Sequence, residues 1–232
     1  MPKSLFVNKS IRIEAHAKWV WLILTDSEIS QQWVSEFGIK DGKINSQWQA
    51  DSEVSWQDQT GETLVTGKVI SVSAPHHLHF SVIDVNSGPM PDSTDEDGLT
   101  YQLVEANDKT TLTVKQGDFG KMSNGGKFHS ATEKIWNKVL QKVKNLAEHM
   151  QNLENKGFKE IRICPLPPQQ DFGEHTHDLK TAHVILNGQL TIIDNGQSQT
   201  YHPGDYIEFP ANTTHKALGD DTGGDMIVGV KP

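Results

Sequence analysis

Cysteine is nearly absent from this chain of 232 residues: Cys164 stands alone, so no disulfide within the chain can staple the fold. Arginine is almost as scarce. Only Arg12 and Arg162 occur, and the formal net charge is −9. A nucleic-acid-binding surface calls for a basic, arginine-rich stripe, so that class of partner is excluded. Long hydrophobic runs are also missing. The longest, Trp19 to Leu24, falls far short of a membrane span, and Met1 to Glu14 holds no apolar core of a secretory signal. No membrane association is expected, and a reducing compartment, most simply the cytoplasm, is the expected location. No Ser/His/Asp constellation, phosphate loop or paired-carboxylate site stands out either.

The chain is long enough for two domains or one large one. Ser4 to Ala15 reads as a strand, with Phe6, Ile11 and Ile13 interleaved among polar residues. Lys18 to Asp26 reads as a short helix, followed by a second that ends near Trp33. From Gly42 to Val85 the pattern alternates as strands do, punctuated by Gly61, Gly67 and Pro75. Ser87 to Gly98 reads as an acidic, mobile loop. Two further strands, Leu99 to Glu105 and Thr110 to Gln116, meet at a hairpin over Asn107-Asp108. The clearest helix follows. Ser130 and Glu133 form a capping-box signature at its expected start, and Trp136, Val139, Leu140, Val143, Leu146, Ala147 and Met150 recur as one apolar stripe. Such a stripe should lie across the preceding sheet of some six strands. Gln151 to Gly157 reads as a linker, with Gly157 the terminator. The expected organisation is a first domain over 1–150, a linker over 151–157 and a second domain over 158–232.

The second domain is read as strands throughout. Phe158 to Cys164 ends at a proline cluster, Val184 to Leu186 and Leu190 to Ile193 flank an Asn187-Gly188 turn of the hairpin kind, and Tyr206 to Phe209 and Met226 to Val230 complete a small antiparallel barrel. The chemistry-bearing stretch is Gly173 to Gly188. His175 and His177 sit one residue apart, and on a strand residues i and i+2 share a face, so both imidazoles can reach one point. His215 follows behind Pro203-Gly204-Asp205 and Pro210. Imidazole is the commonest protein ligand for divalent transition metals. His76, His77 and His79 read instead as a turn and a solvated strand face. Trp19, Trp21, Trp48 and Trp56 read as core.

These residues resemble the two signature motifs of the cupin family. His175, His177 and Gly188 match the first motif, and Gly204, Pro210 and His215 match the second. The chain departs from the pattern at Thr181, where the motif has a glutamate, at Asn212, where it has a glycine, and at Gly219, where it has an asparagine. Gly173 lies too close to His175 for the leading glycine. The resemblance covers Phe158 to about Val230. It implies a divalent transition metal (Fe, Mn, Ni or Zn) on His175, His177 and His215, with the usual carboxylate ligand missing. His183, two residues beyond Thr181 on the same strand, either replaces that ligand or lines the pocket.

Three neutral imidazoles would leave the ion its full double positive charge and several open positions. Such a centre favours anionic, bidentate oxygen ligands such as enolates or hydroxy acids, and could activate dioxygen if the ion is iron. A zinc or nickel ion that only holds the barrel together is the alternative.

Ser4 to Met150 resembles the helix-grip fold of the START-like superfamily, and within it the activator of heat-shock protein 90 ATPase homology domain. The carrying residues are Ile13, Trp21-Leu22 and Thr25-Asp26 before Trp33, and Gly67-Lys68-Val69-Ile70-Ser71-Val72 leading to Pro75 and Leu78. The expected fold class is therefore an α+β helix-grip domain followed by an all-β cupin barrel. Two functions are expected. One is a metal-dependent oxygenase or related enzyme acting on a small chelating acid or diketone. The other is a non-catalytic ligand-binding or stress-response sensor with a structural metal. A small-molecule ligand or substrate and a homodimer formed through the cupin domain are the expected partners.

Overall fold

The computed structural model describes residues 4–86 and 97–232. The acidic stretch read as a mobile loop over Ser87 to Gly98 therefore lies outside the described residues, except for its last two positions. The chain divides into two compact units, residues 1–148 and 149–232.

The first unit opens with β1 (Val7–Ile13), α1 (Ala17–Thr25) and α2 (Ser27–Val34). Asp26 separates the two helices: it is extended, and its carboxylate accepts from the Ile29 N–H at 3.0 Å, the N-cap of α2. Strands β2 (Lys43–Asn45), β3 (Glu53–Gln57), β4 (Thr63–Ser73), β5 (His77–Phe80), β6 (Ile83–Asp84), β7 (Gly98–Ala106) and β8 (Lys109–Gly117) follow. They form an antiparallel sheet of order β1-β8-β7-β5-β4-β3-β2, with β6 paired to β4. The β7–β8 hairpin turns on Asn107 and Asp108, both with positive φ (53° and 60°). A two-residue turn with both residues in that region follows the twist of the flanking strands.

Helix α3 (Gly125–Asn155) closes the unit. Its stripe is buried, with Trp136, Val139 and Val143 at 0 % exposure. Trp136 donates its indole N–H to Gln116 of β8 at 2.7 Å and meets Tyr101 of β7 edge-on at 6.0 Å, which lays the stripe on the sheet. The helix starts before the Ser130/Glu133 signature. Gly125 can approach the Phe119 carbonyl closely because it lacks a Cβ, which would stand 1.8 Å from that oxygen. The helix also runs through most of the stretch read as a linker, because the apolar period continues through Met150 to Leu153, both buried. It ends at Asn155, past the expected boundary at 150, with Gly157 as the terminator the sequence offers. Gly157 has φ +85°, its N–H reaches the Glu154 carbonyl, and the Phe158 N–H reaches that of Leu153. This is a Schellman cap, which glycine makes without steric cost.

Three other readings are corrected. His79 is not on a solvated face. It is buried, with Nε2 2.8 Å from the Asp97 carbonyl. Of the tryptophans read as core, Trp56 is buried but Trp19, Trp21 and Trp48 are only partly so. The Asn187-Gly188 turn does not close a hairpin, as the second unit makes clear.

That unit carries β9 (Lys159–Leu166), β10 (Asp171–Thr176), β11 (Lys180–Asn187), β12 (Leu190–Asp194), β13 (Gln197–Tyr201), β14 (Tyr206–Phe209), β15 (Thr214–Gly219) and β16 (Gly224–Lys231). They form two antiparallel sheets, β10-β15-β12-β13 and β14-β11-β16-β9. The Asn187-Gly188 turn thus carries the chain from one sheet to the other. A Cβ on Gly188 would stand 2.2 Å from the Gly223 carbonyl, so the close crossing needs glycine. The core between the sheets takes Leu166, Ile185, Ile207 and Phe209 from one and Leu190, Ile192 and Ala217 from the other.

Candidate metal centre

His175 and His215 are direct cross-strand partners on β10 and β15. His177 lies just past the end of β10. Its carbonyl accepts from the Asn212 N–H at 2.8 Å, which ties the end of β10 to the turn that launches β15. Asn212 sits there with φ +61°, a conformation asparagine tolerates better than most residues. Ring centroids are 5.0 Å apart for His175 and His177, 4.5 Å for His175 and His215, and 5.2 Å for His177 and His215. One nitrogen from each of the three comes within 4.8 Å of the others. Among the described residues, this is the group of histidine, cysteine and acidic side chains that could hold a metal ion.

The donor chemistry fits a cation. The Nδ1 of His175 lies 3.1 Å from the Gly173 carbonyl. A carbonyl only accepts, so that nitrogen carries the proton and Nε2 presents a lone pair. Gly173 is oriented in turn by a β-bulge between Asp171 and Glu174, by its own φ of +66° and by its N–H bond to Asp171 at 2.8 Å. Nε2 of His177 and Nδ1 of His215 are buried and have no hydrogen-bond partner. A buried polar atom is rarely left so without a reason.

The pocket also favours the neutral form of His177 and His215, as metal ligation requires. Burial, reinforced by His175, lowers the pKa of His177. Burial, then the proximity of His175 and His177, pushes His215 down to about 4.

The opposing sheet supplies the rest of the pocket. Phe209 of β14 stacks on His215 at 3.9 Å and meets His183 edge-on at 5.2 Å. His183 of β11 lies 6.1 Å from His177, ring to ring, outside the group of three. Its Nε2 lies 3.2 Å from the Thr181 hydroxyl and its Nδ1 3.3 Å from the Met226 sulfur. Burial, then the neighbouring His177 and His215, pushes its pKa down to about 3. Thr181 and His183 thus share one face, as their spacing implies. Sequence reasoning missed Phe209, Met226 and the Gly173 carbonyl. The alternation Ile207, Phe209 before Pro210 was a usable signal for Phe209, whereas nothing in the sequence marks a backbone oxygen as a partner for His175.

A long helix on a curled antiparallel sheet, followed by two facing sheets around a histidine cluster, defines a helix-grip domain joined to a cupin domain. The model of the family Activator of Hsp90 ATPase homolog 1-like protein matches residues 14–148, more than half of the chain, and the chain belongs to that family. The cupin-domain model matches residues 162–228. No curated protein matches. Among solved structures, a protein of unknown function from Rhizobium leguminosarum is similar at 21% identity and TM-score 0.30, over 31% of this chain and 68% of that one. An RmlC-like cupin from Shewanella frigidimarina is similar at 18% identity and TM-score 0.29, over 31% of this chain and 64% of its own. The chain thus spans about two thirds of the length of these two structures. The Aha1 dimer from Colwellia psychrerythraea is similar at 17% identity and TM-score 0.48, over 62% of this chain and 96% of that one. Among the described residues, no helix is long and apolar enough to cross a membrane.

Proposed function

We propose that this protein is a metal-dependent enzyme, an oxygenase or a relative of one, acting on a small chelating acid or diketone. The observation that carries the reading is the trio His175, His177 and His215, with nitrogens within 4.8 Å of one another and two of those residues holding a buried nitrogen without a partner. A divalent iron, manganese, nickel or zinc ion held there would supply Lewis-acid chemistry and, if it is iron, a means of using dioxygen. The chain's own residues do the remainder. Gly173 fixes the tautomer of His175, Phe209 fixes the plane of His215, and Thr181, His183 and Phe209 form an inner wall that keeps bulk water away. Without a carboxylate among the three ligands, the centre attracts anionic oxygen ligands strongly. Metal analysis of the purified protein, followed by oxygen uptake by the iron-loaded form over a panel of chelating acids and diketones, tests the reading. Absence of stoichiometric metal sinks it. Metal without turnover leaves a structural ion.

A second reading is favoured by one observation in the first unit. A cavity of about 1060 Å³ is lined by Phe37, Ile39, Trp56 and Val65, with Gln116 and Lys121 among its polar groups, room for a small and largely apolar ligand. In this reading the protein is a sensor and the metal only supports its second domain. Saturable binding of an apolar dye to the first unit, with no turnover by the loaded protein, would favour it.

We further infer a cytoplasmic protein that forms a homodimer through its cupin domain. We also infer that the two units fold independently, with their junction in the tail of α3 near residues 149–157. The single cysteine supports the location, since reducing compartments do not use disulfides to hold folds together.

A further inference from the structure

His183 stands between two groups of unlike hydrogen-bonding capacity. Its Nδ1 faces the Met226 thioether at 3.3 Å, and its Nε2 faces the Thr181 hydroxyl at 3.2 Å. A thioether has no proton to give and accepts only weakly, whereas a hydroxyl can do either. The ring is buried, and a neutral imidazole carries a single N–H. That proton therefore belongs on Nδ1, directed at the sulfur. Nε2 then presents a lone pair, and Thr181 must donate to it. The polarity of the chain is fixed from Met226 to Thr181. At its end the Thr181 oxygen has no proton left to offer and acts only as an acceptor.

Thr181 is placed to use that capacity. It is buried and lies directly opposite Phe209 in the β11–β14 ladder. Directly opposed residues share a face with Cβ atoms ~5 Å apart, and the Phe209 ring lies on His215 at 3.9 Å. Thr181 therefore stands on the wall that looks onto the histidine trio.

We propose that Thr181 is a specificity-determining residue for the ligand of this centre: its oxygen, with its proton committed to His183, accepts a hydrogen bond from the hydroxyl of a metal-chelating 2-hydroxy acid and so selects that class over the corresponding 2-oxo acid. A 2-oxo acid brings only acceptors to the same place, where two oxygens would face each other with no proton between them. The inference rests on the metal-centre reading above and narrows its substrate class. Met226 and His183 are positioning residues in it, acting through Thr181.

The test uses the zinc-loaded chain of 232 residues, which is diamagnetic, with lactate and pyruvate as probes on one carbon skeleton. Calorimetry should find lactate bound about tenfold more tightly than pyruvate, a difference of ~1.4 kcal/mol. Thr181→Val should bring the ratio close to one with zinc stoichiometry unchanged, and Thr181→Ser should restore it. Long-range proton–nitrogen NMR should show His183 protonated at Nδ1 and unprotonated at Nε2, in wild type and in Thr181→Ser. A wild-type protein with no preference for lactate, a preference that survives Thr181→Val, or a His183 proton found on Nε2 would each overturn the proposal while the metal centre stands. Failure of the wild type to take up zinc would instead remove the centre itself.

Discussion

The ring of Phe209 lies flat against that of His215, with centroids 3.9 Å apart and planes within 11° of each other. A stack of this kind removes the rotational freedom of the imidazole before any ion arrives, so less ordering remains to be done on binding. Phe209→Leu, which keeps the bulk and loses the flat face, should lower metal affinity by ~10–100-fold. Competition against a chelator of known affinity measures this. An affinity equal to wild type would reduce the stack to packing.

The donor set can be dissected one histidine at a time. His175→Ala and His215→Ala should each abolish stoichiometric metal, because each removes one of the three converging nitrogens. His183→Ala should keep the metal, since its ring lies 6.1 Å from that of His177 and its nitrogens are engaged with Thr181 and Met226. Elemental analysis after gel filtration gives the ratio. Equal loss in the His183 variant would make it a fourth ligand.

Acid should weaken the second unit. His215 and His183 have folded pKa values pushed down to about 4 and about 3 by burial and by their histidine neighbours, against ~6.5 in the unfolded chain. Between these limits the unfolded state binds more protons, so stability rises with pH there. The contribution is complete above about 6.5 and is lost progressively as pH falls towards the folded values. The melting temperature of the metal-free protein should therefore drop by ~5 °C or more from pH 7 to pH 5. Metal-loaded protein should keep its ion through the upper part of that window and release it as pH nears about 4, where protons compete for the His215 lone pair. A melting curve of the second unit that does not move would mean that these two rings are not held neutral by the fold.

How much of this was legible in the sequence differs between elements. The stripe of α3 was plain, because a 3.6-residue period over many turns is hard to mistake. Both ends of that helix were less so. Its start depends on a close approach between Gly125 and the Phe119 carbonyl, and no local cap signature reports such a contact. Its continuation past Met150 was hidden by polar residues, although Leu153 kept the apolar period. In the second unit, His175, His177 and His215 were legible as a group because motif spacing encodes them. The β11–β12 turn was misread because a short link with Asn-Gly at its start looks the same whether it closes a hairpin or crosses between sheets. Only long-range pairing decides, with β11 on β14 and β16, and β12 on β13 and β15.

Trp136→Ala probes the first unit. Its ring is fully buried among Trp33, Phe37 and Tyr101, and its indole N–H satisfies Gln116. Removal should cost ~3–5 kcal/mol, with a further loss from the amide oxygen left unpaired. Denaturant titration reads the change. A cost under ~1 kcal/mol would place this face in solvent.

A fragment ending at Asn155, the last residue of α3, should melt cooperatively, because it keeps the whole sheet and the whole apolar stripe. Calorimetry on the fragment checks this. A broad transition with exposed apolar surface would mean that the first unit needs the rest of the chain.

All six tryptophans precede His149, and Trp33, Trp56 and Trp136 are gathered into one buried cluster with ring separations of 6.2 Å and 6.3 Å. Indole emission therefore originates entirely from the first unit, and the second is dark at indole wavelengths. Quenching or a colour shift of that emission reports unfolding of the helix-grip sheet, or a molecule entering the cavity beside Trp56, without a label being attached. Events at the histidine cluster must be followed by other means, such as the visible absorption of a cobalt-loaded sample. The two halves of one chain can thus be watched separately in the same cuvette.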